Sequence, residues 1–238
     1  MSNPDPARPP ATPAVASAVV LVRDGEHGLE VFCVERHREN ESAPTVGLPG
    51  GRVERDDLAK DWNDVVLPVH PRSEPLAATP AQRLAVAIAA ARLTLEQAAV
   101  LPVNGPLTHS AAVGLRRTLA GSVDAFRSAL DARGLRIDLT SIVPFFRWVT
   151  PEAEARRFDT RVFMLRAPAG QDGLDRDDRT ATGWATPADL VDRSNQQKIV
   201  LEPLTHWVLG TLSPLGNVDA AVAVAETSSL APISAPPA

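Results

Sequence analysis

Reactive and ligand-holding side chains concentrate in two stretches of this 238-residue sequence. The first is Gly47-Leu48-Pro49-Gly50-Gly51-Arg52-Val53-Glu54-Arg55-Asp56-Asp57. Adjacent glycines after a proline let the backbone turn tightly and approach a ligand, and the acidic residues behind them are oxygen donors of the kind a hard divalent cation takes. The same residues equally describe a tight turn between strands followed by solvated charges. The second stretch, TPAQRLAVAIAAARLTLEQAAVL over 79–101, carries Arg92, Glu96 and Gln97. Arg36-His37-Arg38 forms a small basic cluster that suits either a phosphate contact or a solvated strand end. His37, His70, His109 and His206 have no metal-ligand spacing, and His27 falls in a turn. Cys33 alternates with core positions of a strand and reads as an inert small hydrophobe.

The second stretch is a strongly marked helix. Thr79 caps it, Pro80 suits the first helical position, and Gln82 completes a Thr-x-x-Gln capping box. Leu84, Ile88, Ala91, Leu95 and Ala98 recur at helical spacing and form one core-facing stripe. Leu93, Glu96 and Gln97 fall on the side away from that stripe, with Arg92 at its edge. Ahead of the helix, residues 16–22 and 29–35 predict an antiparallel hairpin joined by a polar link over 23–28. Residues 110–134 are predicted helical, with Ser122 as a cap and Gly134 as a stop. Residues 174–182 read as a charged loop, and 189–212 as a closing helical region anchored by Trp207. The Pro-rich segment 1–13 and the Ala-, Ser- and Pro-rich segment 216–238 are expected to be disordered tails of one domain over 14–215.

Composition narrows the function classes. Hydrophobic residues make up 44% and charged residues 22%, as in an ordinary globular protein. A net charge of -5 gives no support to a nucleic-acid partner, which favours a basic face. The apolar run over 14–22 is far shorter than the ~20 residues a bilayer span needs, and no targeting segment is expected. One cysteine permits neither an intramolecular disulfide nor a cysteine-rich metal site, so the cytoplasm is the expected compartment and no membrane partner is expected.

PGGRVERDD followed by a helix carrying AAARLTLEQAAVL resembles a Nudix box, Gly-x5-Glu-x7-Arg-Glu-apolar-x-Glu-Glu-x-Gly-apolar. Gly51 matches the first glycine, Asp57 stands at the first glutamate and Arg92 at the arginine. The longer gap between Asp57 and Arg92 makes 58–83 an insert, as in the branch that contains the mammalian peroxisomal coenzyme A diphosphatase and its bacterial relatives. Residues 135–166 resemble the strand-turn-strand after the box in that branch, notably Arg147-Trp148-Val149-Thr150-Pro151 and Arg157-Phe158-Asp159-Thr160-Arg161. Trp184-Ala185-Thr186-Pro187 resembles the Trp-x-x-Pro that leads into its final helix.

The resemblance implies an α/β fold, a Nudix-type α/β/α sandwich with a mixed sheet and helical inserts at about 58–83 and 104–134. It also implies a magnesium- or manganese-dependent diphosphatase, because hydrolysis of a diphosphate link needs charge neutralised while water attacks. The three box-helix glutamates correspond to Leu93, Glu96 and Gln97, and the box glycine to Ala99. Carried over, Glu96 and Arg92 are the catalytic candidates. Glu96, Asp57 and Gln97 are the metal candidates, and Gly50, Gly51, Arg36 and Arg147 the ligand-binding ones. Two functions stand side by side. One is a nucleotide- or diphosphate-binding protein with a degenerate box, altered or lost hydrolysis and no metal requirement. The other is an active diphosphatase for a nucleoside diphosphate linked to another moiety, coenzyme A-like or similar. The family is compatible with a homodimer.

Overall fold

The apolar run over 18–22, Ala-Val-Val-Leu-Val, makes a strand that is buried on both faces. β1 (Ala14–Gly25) pairs with β2 (Gly28–Arg36) through the two-residue turn Glu26-His27, with Gly28 at φ +103°. The strands thus run further into the expected link than the pattern predicted, because glycine on each side lets the chain reverse tightly. The computed structural model describes residues 11–36, 43–171 and 183–234. Among them lie β3 (Thr45–Gly47), β4 (Gly50–Arg52), β5 (Val143–Val149), β6 (Phe158–Arg166), β7 (Gly183–Ala185), β8 (Val200–Leu201) and β9 (Pro232–Ser234). The sheet order is β8-β3-β2-β1-β6-β5-β9, with β4 also on β1 and β7 also on β2. β1 and β6 run parallel while β5 and β6 run antiparallel, so the sheet is mixed.

Alternation along β1 sends Val19 and Leu21 to one face and Val20 and Val22 to the other. The first face packs against α1 (Pro80–Ala98), α2 (His109–Gly121) and α3 (Val123–Asp131) through Ile88, Leu95, Leu115 and Phe126. The second packs against α4 (Pro187–Asn195), α5 (Pro203–Leu212) and α6 (Val218–Thr227) through Leu190, Leu209 and Ala221. This is the expected α/β/α sandwich. The capping box of α1 forms in full, with Thr79 accepting from the Gln82 amide and Gln82 accepting in return.

The insert is packed. It folds as 3-10 turns over Asp56–Leu58, Lys60–Asp64 and Pro71–Leu76. Trp62, wholly buried, donates its Nε1 hydrogen to the Asp56 carbonyl at 2.7 Å and meets Phe126 of α3.

Two expectations about the C-terminal part are corrected. The closing helical region is two helices, α4 and α5, with β8 between them; Val200 pairs with Thr45 and so interrupts the helical run. The stretch expected as a disordered tail contains α6 and β9. Asn217 caps α6, and Val218, Ala221 and Ala225 bury completely at helical spacing, so small apolar residues pack where a large-residue stripe was not visible. Arg72 of the insert ties this helix down by donating to the carbonyls of Pro144 (3.2 Å), Ala225 and Ser228 (2.6 Å).

Candidate functional site

Antiparallel pairing of β4 with β1 sets Gly51 opposite Ser17 and Gly50 opposite Ala18, which brings the glycine pair beneath the last turns of α1. There Leu93 lies directly on the strand: a Cβ at position 51 would come within 2.9 Å of Leu93 Cδ2, so any larger residue there would push the Leu93 side chain aside. One turn on, Gln97 grips the neighbouring peptide at two points. Its Nε2 donates to the Gly50 carbonyl at 3.0 Å and its Oε1 accepts from the Gly50 amide at 3.2 Å. Arg36, at the end of β2, donates to the same Oε1 at 3.4 Å and to Glu202 at 3.0 Å. Glu202 follows β8 and reaches Arg36 because β8 pairs with β3. Nothing local in the sequence signals that meeting.

Arg92 is the buried hub of the same helix. Nε and Nη2 donate to the two oxygens of Asp57 at 2.8 and 2.9 Å, Nη2 also reaches the Arg52 carbonyl at 3.1 Å, and Nη1 reaches Glu96 at 3.2 and 3.3 Å. Burial by itself lowers the guanidinium's pKa, but the hydrogen bonds and charge of Asp57, then those of Glu96, hold it above its ordinary value. Asp57 is also engaged by the Glu54 amide at 2.8 Å, and its side chain is 0% exposed.

A divalent cation of the kind the fold family uses wants several oxygen donors, and the described residues do not fit one here. Asp57 turns both oxygens to Arg92, Gln97 uses both ends of its amide on Gly50, and Leu93 offers no donor. Of the proposed metal ligands only Glu96 keeps a partly exposed carboxylate, at 37%, and it too is paired with Arg92. Among the described residues no group of three or more His, Cys, Asp or Glu could hold a metal ion. Position 99, the box glycine in the resemblance, holds alanine in the left-handed conformation at φ 52° and ψ 37°, where it ends α1.

The residues proposed from sequence therefore divide between two places. Arg36, Gly50, Gly51, Asp57, Arg92, Glu96 and Gln97 converge around the C-terminal half of α1. Arg147 lies apart, its Nε and Nη2 each 2.7 Å from an oxygen of Asp159. It lines a cleft of about 960 Å³ together with Arg52, Arg83 and Arg161. Arg157 supports loop geometry, donating to the carbonyls of Thr150 and Ala11 at 3.2 and 3.0 Å. Cys33 is buried, and burial, with Glu202 adding and Arg193 opposing, pushes its thiol up to about 12. His37, Arg38 and the charged loop over 174–182 lie outside the described residues. Arg52 was missed by sequence reasoning, though its place directly after the glycine pair was a usable signal.

No family model and no curated protein matches the chain. Among solved structures it is similar to a NUDIX hydrolase from Alicyclobacillus acidocaldarius, at 26% identity and a TM-score of 0.70, over 95% of this chain and 99% of that one. Fold and topology are those of a Nudix hydrolase, and the likeness supports the Nudix superfamily. No helix among the described residues is long and apolar enough to cross a membrane.

Proposed function

We propose that this chain is a Nudix-fold protein with a degenerate box, which binds a nucleotide or other diphosphate-bearing ligand without the metal-assisted hydrolysis of its fold relatives. The observation that carries the reading is the two-point grip of Gln97 on Gly50. The amide –NH2 sits against the Gly50 carbonyl, and a carboxylate in its place would set oxygen against oxygen unless a cation stood between them. Leu93 beside it supplies packing where the box pattern has an acid. Loss of a general base alone costs roughly 10²- to 10⁴-fold in rate.

A second reading, an active diphosphatase for a nucleoside diphosphate linked to a coenzyme A-like moiety, is favoured by one observation: Glu96 keeps a partly exposed carboxylate at a box position. Release of phosphate or nucleoside monophosphate from a panel that includes ADP-ribose and coenzyme A, with magnesium or manganese, separates the two. The binding reading expects the natural chain to be silent and the Leu93→Glu, Gln97→Glu double variant to gain hydrolysis. Hydrolysis by the natural chain that Glu96→Gln abolishes would overturn it in favour of the enzyme.

A further inference from the structure

Sheet register lines up Gly51, Ser17, Arg161 and Arg147 in one row across β4, β1, β6 and β5. Ser17 Oγ donates to the Val86 carbonyl at 2.8 Å, so the row faces α1. The helix covers the β4 end of the row, under Leu93. The insert covers the other end, where Arg161 Nε donates to the Leu76 carbonyl at 2.9 Å. Between helix and insert the cleft of about 960 Å³ stays open, lined on the helix side by the segment from Gln82 to Val86. Val86 precedes Glu96 by ten residues, roughly 15 Å along a helix. The cleft is therefore separate from the Glu96 face.

Its lining is cationic. Glu74 is the one carboxylate among the lining residues, and Asp159 stands behind Arg147 and Arg161. Four guanidiniums against these two carboxylates leave two positive charges unbalanced. Donors are spare as well. Arg161 spends Nη1 on the carbonyl and carboxylate of Asp159 at 2.8 and 3.0 Å, and Arg83 spends Nη1 on the Ala77 carbonyl at 3.4 Å. Among the described residues Arg147 Nη1, Arg161 Nη2 and the whole Arg52 guanidinium have no partner. Burial is the largest influence on Arg161 and lowers its pKa; Asp159 opposes that and Arg147 adds to it. Three large hydrophobic residues stand exposed among the described ones, and two of them, Val15 at 43% and Leu58 at 53%, belong to this cleft.

A surface with spare guanidinium donors beside exposed apolar side chains suits a ligand with a multiply charged phosphate head and an apolar or planar body. We infer that the cleft between α1 and the insert is the ligand seat. Phosphates lie on Arg52, Arg83, Arg147 and Arg161, and the body of the ligand lies on Val15 and Leu58. This rests on the reading that the ligand is a nucleotide or diphosphate, and it moves the seat from the C-terminal half of α1 to its N-terminal half.

Titration calorimetry in metal-free buffer with ADP, ADP-ribose and inorganic pyrophosphate tests it. The natural chain is expected to bind ADP and pyrophosphate. Arg52→Glu is expected to weaken both at least tenfold, and Arg52→Gln, which keeps bulk and loses charge, to weaken both to an intermediate degree should the reversal fail to fold. Leu58→Ser is expected to weaken ADP several-fold and to leave pyrophosphate unchanged. If Arg36→Gln abolishes binding while both Arg52 variants bind normally, the seat is at the other end of α1; the inference is then overturned and the binding reading stands. If none of the three probes binds the natural chain, the binding reading falls and the inference with it.

Discussion

Arg92 meets Asp57 side by side, Nε to Oδ1 at 2.8 Å and Nη2 to Oδ2 at 2.9 Å, across thirty-five residues of sequence. Both side chains are buried, 6% and 0% exposed. The pair fastens the start of the insert to the middle of α1, and Arg92 also holds the Arg52 carbonyl, so the glycine loop, the insert and the helix share one joint. A bidentate pair of this kind fixes geometry as well as charge.

Breaking one side of that joint leaves a buried charge uncompensated. Arg92→Met or Asp57→Leu alone is expected to lower unfolding free energy by about 3–5 kcal/mol, and the double variant to lose much less, because an apolar pair of similar volume avoids the desolvation cost. Urea denaturation measures all three. Single variants that lose under about 1 kcal/mol would mean the pair fixes little.

Gln97→Glu tests the grip on Gly50 in isolation. It exchanges a donor 3.0 Å from the Gly50 carbonyl for an acceptor, which costs about 1–3 kcal/mol when no cation is supplied. Melting in chelator should therefore occur below the natural chain, and magnesium should raise the melting temperature of the variant, since a cation bound only by the native state stabilises it by mass action. The natural chain should melt alike in magnesium and chelator. An equal magnesium shift in both proteins would contradict this account.

Ala99 is a residue with a Cβ in left-handed backbone, φ 52° and ψ 37°. That conformation costs a non-glycine residue roughly 1–2 kcal/mol. The Ala99 methyl is fully buried and returns about 0.8 kcal/mol by burial. Ala99→Gly is thus expected to leave stability equal or to raise it by up to about 1 kcal/mol. A loss beyond about 1 kcal/mol would show that packing of the methyl outweighs the backbone term.

The parts of this fold that were legible in sequence are those that local chemistry dictates. Thr79, Pro80 and Gln82 announced the start of α1, and the apolar run over 16–22 announced β1. The glycine pair marked the loop under the helix. Helix α6 escaped because Val218, Ala221 and Ala225 are too small to stand out within an Ala-rich segment, although Asn217 offered a cap. The candidate residues were legible one by one, and their arrangement was not. Glu202 joins Arg36 only through pairing of β8 with β3, and the position of Arg147 relative to Arg161 is a matter of register across β5 and β6. Long-range register of this kind leaves no local periodicity to read.

Asp159 gives the cleft a pH signature. Burial alone would raise its pKa, but hydrogen bonds and charge from Arg147 and Arg161 outweigh burial and hold it below the ordinary carboxylate range. A carboxylate depressed on folding adds stability that is fully present above the unfolded value of about 3.9 and is lost as the pH falls through the lower folded value. The natural chain should therefore lose stability to Asp159 protonation only below about pH 4, and Asp159→Asn should lack that share of the acid loss. Denaturation at a series of pH values from neutral to acid should show the gap between the two proteins constant above that point and narrowing below it. The variant also frees Arg147 and Arg161 from their shared acid, so pyrophosphate should bind it at least as tightly as the natural chain. A gap that stays constant through the acid range would mean that the ion pairs of Asp159 do not outweigh its burial.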